Sequence, residues 1–485
     1  MRLKKIMEGI EYEPLGPVPD MEIARVTSDS RSVARGDMFI AFRGYSINGH
    51  KFIKEAVDRG AKVILAEEDF AGPDGVVKIL VRDTRAATPA IAGNFYGHPS
   101  KKLKMIGVTG TNGKTTITYV IESILREAGE GSGVIGTINY RLNGRVVPAR
   151  NTTPGPLELQ SMLCEIAGTG ARYAVMEVSS HALDQGRADG ILFDAGIFTN
   201  ITPEHLDYHK TLSEYYTAKA KIFSYMKENG VAILNKDDKL VARLEKTLKL
   251  KILSYGLNKG SEVTARGVRL SLDDSDFTVV TPGGEFKVST RLVGRHNVSN
   301  ILAAAAAAHS LGIGEEAIKA GIEAIDFVPG RLEPVDCGQP FKVFVDFAHT
   351  EDALNNVLGL LKDTSHGDII TVFGCGGSRD RSKRPLMGEA ACKLSDRVVI
   401  TSDNPRFEEP DKIIEEIVLG VKGKFDNYEI EPDRRKAIEI AIASATDGSI
   451  VIIAGKGHEN YQVVGNAELP FDDREVAREI LRKKK

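Results

Sequence analysis

The run Gly110-Thr111-Asn112-Gly113-Lys114-Thr115-Thr116 concentrates residue types that handle phosphate. Its glycines allow backbone N–H groups to close around phosphate oxygens, Lys114 supplies a point charge for the terminal phosphates, and Thr115 offers a hydroxyl to magnesium. Downstream, Glu177-Val178-Ser179-Ser180-His181 and Thr199-Asn200-Ile201-Thr202-Pro203-Glu204-His205-Leu206-Asp207 add acidic and imidazole groups. A carboxylate such as Glu177 at a strand end can hold the magnesium that bridges β- and γ-phosphates. His205 reads either as a second-metal ligand or as a satisfied helix cap, while His181 and His209 read as structural. Lys219 and Lys221 fall ~200° apart on a helix, so one points inward if the other is solvated. The plainer alternative is a pair of lysines that both reach water. This chemistry implies a nucleoside triphosphate with Mg2+.

Each cluster follows a short apolar run, and that order dictates the supporting architecture. Met105-Ile106-Gly107-Val108, Tyr173-Ala174-Val175-Met176, Gly196-Ile197-Phe198 and Val231-Ala232-Ile233-Leu234 read as buried strands with helical periodicity between several of them. Such alternation predicts an α/β fold with a largely parallel sheet. Val343-Phe344-Val345, Ile369-Ile370-Thr371-Val372-Phe373, Val398-Val399-Ile400 and Ile450-Val451-Ile452-Ile453 repeat the pattern and predict a second doubly wound domain. Open α/β sheets bind ligands beyond the carboxyl ends of their strands, where the polar clusters lie. Junctions at Gly97-His98-Pro99-Ser100 and Phe327-Val328-Pro329-Gly330-Arg331 divide the chain into segments 1–98, 99–328 and 329–485. The phosphate loop departs from the usual spacing, because its first glycine would fall at Val108, so a shorter or differently folded loop is expected.

Composition narrows the partners. The 485 residues are 42% hydrophobic and 27% charged, ordinary for a globular protein of about three domains. With 64 Lys+Arg against 67 Asp+Glu there is no basic field to attract nucleic acid. No run approaches the ~18 apolar residues of a membrane span. Cys164, Cys337, Cys375 and Cys392 lie far apart, suggesting neither a disulfide framework nor a zinc site. The basic Met1–Lys5 stretch lacks a following apolar region, so a cytoplasmic protein is expected, acting as a monomer.

Eight motifs in order resemble the Mur ligases, ATP-dependent amide-forming enzymes of cell-wall precursor synthesis. They are the phosphate loop, Glu177–Leu183, His205-Leu206-Asp207-Tyr208-His209, Gly294–Asn300, Val328–Glu333, Val345-Asp346-Phe347-Ala348-His349-Thr350, Gly374–Arg381 and Gly455-Lys456-Gly457-His458-Glu459. The resemblance implies an N-terminal UDP-binding α/β domain, a central P-loop ATPase-like domain and a C-terminal Rossmann-like domain. Thr27-Ser28-Asp29-Ser30-Arg31 with Gly44 and Gly49-His50, together with Asn151-Thr152-Thr153-Pro154, resemble the branch that adds the third amino acid, onto UDP-N-acetylmuramoyl-L-alanyl-D-glutamate. By the same likeness Lys219 would be carbamylated and act as an anion. Glu177 and His205 would help hold the metals. Asn297 and Asn300 would face adenine, and Arg331 and Asp346 would contact ATP. Asn151, Thr152, Thr153, Ser179 and Arg187 would hold the muramoyl-peptide, and Ser28, Ser30 and Arg31 its uridine end. Ser378, Ser382 and Phe347 depart from the family's usual Asp, Gly and Tyr.

Asp403-Asn404-Pro405-Arg406 resembles the branch that adds meso-2,6-diaminopimelate. A guanidinium fork suits a second carboxylate on the incoming amino acid, which L-lysine lacks. Arg379, Gly455 and Glu459 would complete that pocket, with Glu459 available to a distal ammonium. The implied reaction forms an acyl phosphate on the D-glutamate side chain, which the amine of diaminopimelate then attacks. Competing readings are an L-lysine-adding relative, a folylpolyglutamate synthetase-like ligase and a catalytically inactive nucleotide-binding scaffold.

Overall fold

A computed structural model describes residues 1–43, 48–73, 75–142 and 144–484. Gly44 lies outside the described residues. Every strand expected from the apolar runs is present and extends by one or more residues at its ends, except Ile369–Phe373, which spans the run itself. The largest sheet has eight strands in the order Lys251–Tyr255, Met226–Asn235, Phe193–Phe198, Lys104–Thr109, Tyr173–Glu177, Ser132–Ile135, Asn139–Leu142 and Arg145–Pro148. Tyr173–Glu177 pairs in parallel with both Lys104–Thr109 and Ser132–Ile135, while the last two strands are antiparallel.

Contacts divide the chain into two compact units, 1–109 with 130–196 and 218–231, and 110–129 with 197–217 and 232–485. The first contains a five-stranded sheet in the order Glu13–Pro14, Val77–Leu80, Val63–Ala66, Met38–Ile40, Val26–Thr27. Only its Glu13–Pro14 edge is antiparallel, and apolar side chains cover both of its faces. Asp83 caps the helix Thr84–Tyr96 by accepting from the backbone N–H groups of Arg85 and Ala86, and Gly97, in the left-handed region at φ 70°, ends it.

In the second unit the helix Lys114–Glu127 is approached closely by Glu315–Glu323. A Cβ on Gly321 would lie 2.3 Å from Cα of Ile124, so only glycine admits this contact. The alanine run Ala303–Ala308 is buried along the helix Arg295–Ser310. Three antiparallel strands, Thr264–Leu270, Ser275–Thr281 and Gly284–Thr290, form a separate sheet that the apolar runs did not predict. Beyond it a six-stranded sheet runs Glu333–Pro334, Lys342–Asp346, Ile450–Ala454, Ile369–Phe373, Arg397–Ile400, Tyr428–Ile430, parallel except for the first strand. Its two faces are buried by separate apolar clusters, the expected doubly wound arrangement. A hairpin, Tyr461–Val464 with Ala467–Pro470, follows the last central strand. Among the described residues no helix is long and apolar enough to cross a membrane.

Candidate functional site

The phosphate loop is built by two glycines that no other residue could replace. Gly110 has φ 141° and Gly113 φ 90°; a Cβ on either would lie 1.8 Å from Thr199 Oγ1 or 2.3 Å from Asn300 Oδ1. The neighbouring loop holds it in shape: Thr111 N–H donates to the Asn200 carbonyl and Asn112 N–H to Asn200 Oδ1, both at 2.9 Å. The ammonium of Lys114 folds over the loop, donating to the carbonyls of Gly110 (3.0 Å) and Thr111 (2.8 Å). Thr115 and Thr116 are buried in the first helical turn. The short-loop expectation therefore corresponds to a turn braced from outside by Thr199 and Asn200.

His205 has φ 56° and precedes the short helix Leu206–His209, but its ring makes no capping hydrogen bond. The cap reading therefore has no support. His209 is buried, with its ring 5.3 Å from that of Tyr215. Glu204, which the sequence reading did not select, is a half-buried carboxylate. Its Oε1 lies 3.3 Å from His349 Nε2, its Oε2 lies 3.8 Å from His205 Nε2, and Tyr215 donates to Oε2 at 3.4 Å. Burial opposes its ionisation, but the His349 hydrogen bond and the charges of His205, His349 and Lys114 prevail and hold it well below the usual carboxylate range. Asn112 donates to Asp352 Oδ2 at 2.9 Å, so the phosphate loop and the Glu204 loop each meet residues 349–352.

Arg331 stacks on Phe347, with its guanidinium carbon 4.8 Å from the ring centroid, and reaches Thr115 Oγ1 at 3.5 Å. Phe347 also touches the rings of His349 and His458, so the hydroxyl of the usual Tyr is not needed for this packing. Asn297 and Asn300 are buried and joined at 3.2 Å, Asn297 in turn donating to the Val293 carbonyl. Asp346 spends both oxygens on backbone N–H groups, of Leu332 and of Ala348, each at 2.7 Å. Burial raises its pKa against those bonds.

A second group gathers around Glu177, which is 1% exposed. Thr137 donates to it twice, from its N–H at 2.8 Å and its hydroxyl at 2.9 Å, and meets Thr152 Oγ1 at 3.0 Å. Thr153 donates to the Glu177 carbonyl and accepts from Ser179 N–H, while Arg187 donates to the Thr153 carbonyl at 2.6 Å. Thr137 was missed because it follows the strand Ser132–Ile135, whose two glycine-flanked apolar residues are too few to read as a strand. Asn151 is exposed and is fixed through its backbone by the Tyr140 hydroxyl. On the helix Leu212–Ala220, Lys219 is 2% exposed, whereas Lys221 lies outside and donates to the Leu183 carbonyl. The inward lysine is thus Lys219.

Near the N-terminus, Ser28 is exposed, Ser30 is buried and donates to Glu55, and the exposed Arg31 pairs with Asp29. Ser30 and Arg31 are engaged by these partners.

The loops after Ile369–Phe373, Arg397–Ile400 and Ile450–Ala454 bring the proposed amino-acid pocket together. Arg406 sits at φ 52°, held by the Val463 carbonyl accepting from its N–H (3.0 Å) and by Gly465 N–H donating to its carbonyl (2.6 Å). Its guanidinium donates to the Gly377 carbonyl at 2.9 Å. Burial and the like charge of the exposed Arg379 lower its pKa, a setting that favours an incoming anion. Asn404 Nδ2 donates to Glu459 Oε2 at 2.8 Å, and the buried Asp403 lies where a Cβ on Gly455 would be 2.7 Å from its Oδ2. Pro405 packs so tightly that a Cβ on Gly377 would lie 1.9 Å from its carbonyl oxygen. Beneath these loops Arg384, fully buried, forks onto Glu408 with two 2.9 Å bonds and reaches Glu416 at 2.8 Å. Ser378, in the left-handed region, donates its N–H to Glu408, and Ser382 donates to Asp380.

Family models match in three parts: the Mur ligase family catalytic domain over residues 22–96, the Mur ligase middle domain over 108–308, and the Mur ligase glutamate ligase domain over 330–457. The UDP-N-acetylmuramoyl-L-alanyl-D-glutamate–2,6-diaminopimelate ligase of Clostridium tetani is 43% identical over 99% of both chains, and that of Geobacillus kaustophilus 43% identical over 96% of both. A solved structure of a ligase of that name covers 100% of this chain and 99% of its own, with 33% identity and a TM-score of 0.69. The MurF ligase of Thermotoga maritima, solved with ADP, shares the fold at 20% identity, covering 95% and 98% of the chains with a TM-score of 0.70.

Proposed function

We infer that the chain, which belongs to the Mur ligase family, is an ATP-dependent amide ligase joining meso-2,6-diaminopimelate to the D-glutamate side-chain carboxylate of UDP-N-acetylmuramoyl-L-alanyl-D-glutamate, in peptidoglycan precursor synthesis. One observation carries the choice of amino acid: Arg406, partly desolvated, lies beside the like charge of Arg379 in a pocket that also presents Glu459. A substrate with a distal carboxylate and a distal ammonium answers both charges, whereas L-lysine answers one.

The residues divide the work. Lys114, now on loop carbonyls, would move onto the γ-phosphate as the D-glutamate carboxylate attacks it. ADP leaves, and an acyl phosphate remains. The diaminopimelate amine attacks the acyl carbon, a proton departs, and phosphate is expelled to give the amide. Arg331 and the buried Asn297 and Asn300 would hold the nucleotide, with Asp346 acting through the backbone of Leu332. Thr137, Thr152, Thr153, Ser179 and Arg187, with the Asn151 backbone, would hold the dipeptide end, and Ser28, Ser30 and Arg31 the uridine end. By the family resemblance the Thr115 hydroxyl, the Glu177 carboxylate, His205 and a carbamylated Lys219 would be the residues that hold magnesium. When bound it would neutralise charge developing between the phosphates. Carbamylation, addition of CO2 to the neutral amine with loss of a proton, would convert the buried Lys219 side chain into an anion. We further propose that the segments 1–98, 99–328 and 329–485 are the three domains and that the enzyme works as a cytoplasmic monomer.

Phosphate release measured with ATP, UDP-N-acetylmuramoyl-dipeptide and each of several amino acids tests the reading. Turnover should be highest with meso-diaminopimelate. Preference for L-lysine would move the chain to that branch, and no turnover with any amino acid would favour an inactive scaffold.

A further inference from the structure

Lys456 is 0% exposed, and nothing in the chemistry above uses it. Its ammonium donates to Asn404 Oδ1 at 3.2 Å, to Glu459 Oε2 at 3.0 Å and to the Tyr461 carbonyl at 2.5 Å. The three acceptors come from three parts of the amino-acid pocket: the Asp-Asn-Pro-Arg loop, the turn after Ile450–Ala454, and the first strand of the hairpin. Around this centre Asn404 is fully oriented. Its Oδ1 also accepts from Val463 N–H at 2.9 Å, while its Nδ2 donates to Glu459 Oε2. The amide therefore cannot flip to serve a ligand without breaking these bonds. Glu459 is thus gripped through one oxygen only; among the described residues its Oε1 accepts no hydrogen bond.

We propose that Lys456 is a positioning residue for amino-acid selection, the buried cation that fixes Glu459 so that Oε1 faces the distal ammonium of the substrate. This rests on the diaminopimelate reading above. A half-buried carboxylate gripped on one side by an ammonium and an amide keeps its direction. Freed from Lys456, Glu459 would turn toward water or toward Arg406, and the distal ammonium would lose its partner. The effect should therefore be confined to substrates that carry that ammonium.

The test compares meso-diaminopimelate with 2-aminopimelate, which lacks the distal amine, as substrates of the full-length enzyme. Lys456→Gln keeps donors for Tyr461 and Asn404 and removes the charge, and Lys456→Met removes both. In Lys456→Gln the specificity constant for diaminopimelate should fall ~10- to 100-fold, mostly through its Michaelis constant, while that for 2-aminopimelate changes little. Michaelis constants for ATP and the UDP-dipeptide should stay as in the wild type. Lys456→Met should narrow the ratio further, and adding Glu459→Gln to it should cause no additional loss. A folded Lys456→Gln enzyme that keeps the wild-type ratio of the two substrates overturns the proposal, as does an equal loss for both. Wild-type enzyme that uses neither substrate overturns instead the reading on which the proposal rests.

Discussion

Lys114 shows how far a single residue's role can be argued. Its ammonium caps the carbonyls of its own loop, so replacing it removes charge at the phosphate and little packing. Lys114→Ala should leave the thermal unfolding midpoint near that of the wild type while lowering turnover by two to three decades, a loss of ~3–4 kcal/mol of transition-state stabilisation. Wild-type turnover in a folded variant would remove Lys114 from the reaction. Lys219 is its counterpart on the acidic side. Lys219→Ala should be nearly inactive, with partial recovery when a short carboxylate is added to the assay; full activity without the additive would make Lys219 an ordinary buried lysine. The loop was legible because glycines at 110 and 113 and Lys114 leave few alternatives. Glu204 was not, since its importance comes from His349, 145 positions away, and no local pattern encodes that meeting.

Elements explain what periodicity could and could not reveal. Parallel strands buried on both faces produce continuous apolar runs, which is why Tyr173–Glu177 and Ile450–Ala454 could be read directly. The hairpin Tyr461–Val464 with Ala467–Pro470 is half exposed and has no such run, yet its backbone holds Arg406 in the left-handed region. The turn before it carries a pH dependence. Burial, and then the charges of Arg331, Arg474, Lys456 and His349, lower the His458 pKa to about 3, and burial and Arg331 lower that of His296 to about 4. His458 Nδ1 is buried without a partner among the described residues, so a proton there would gain no hydrogen bond. The unfolded chain protonates both rings near 6.5, the folded one only below about 4. Between those limits the unfolded state binds more protons, so stability is full above ~6.5 and falls with decreasing pH by up to ~1.4 kcal/mol per unit for each ring. Denaturant unfolding from pH 7 to pH 4.5 should show this slope, and His458→Phe should reduce it; an unchanged slope would mean that His458 accepts its proton without cost.

At the scale of the whole molecule, the junctions read from Gly97-His98-Pro99 and Val328-Pro329-Gly330 mark where the chain leaves one sheet for another, and the second can be tested as a boundary. Segment 329–485 contains the six-stranded sheet, the apolar cluster on one face entire, and most of the cluster on the other, which borrows Val293, Leu270 and Leu272 from the preceding residues. It also contains the buried pair of Arg434 and Asp473, 1% and 0% exposed, joined by two 2.7 Å bonds. Arg434 further donates to the carbonyls of Ser402 and Ala454, where the two amino-acid loops begin. Such a segment should fold alone, with a cooperative thermal transition somewhat below that of the full chain because part of one cluster is missing. Removing one member of the pair leaves a buried charge without its partner, at a cost of ~3–5 kcal/mol, a large fraction of the ~5–15 kcal/mol that holds a domain folded. Arg434→Met in the isolated segment should therefore shift its transition sharply downward or abolish it, whereas Arg434→Met with Asp473→Leu should recover much of the loss, because the pair is then replaced by apolar groups of similar volume. Circular dichroism melts of the wild-type segment and its two variants decide the matter. A wild-type segment that melts without cooperativity would show that the boundary at 329 cuts through a folding unit, and a single variant as stable as the wild type would show that the pair does not support the loops above it.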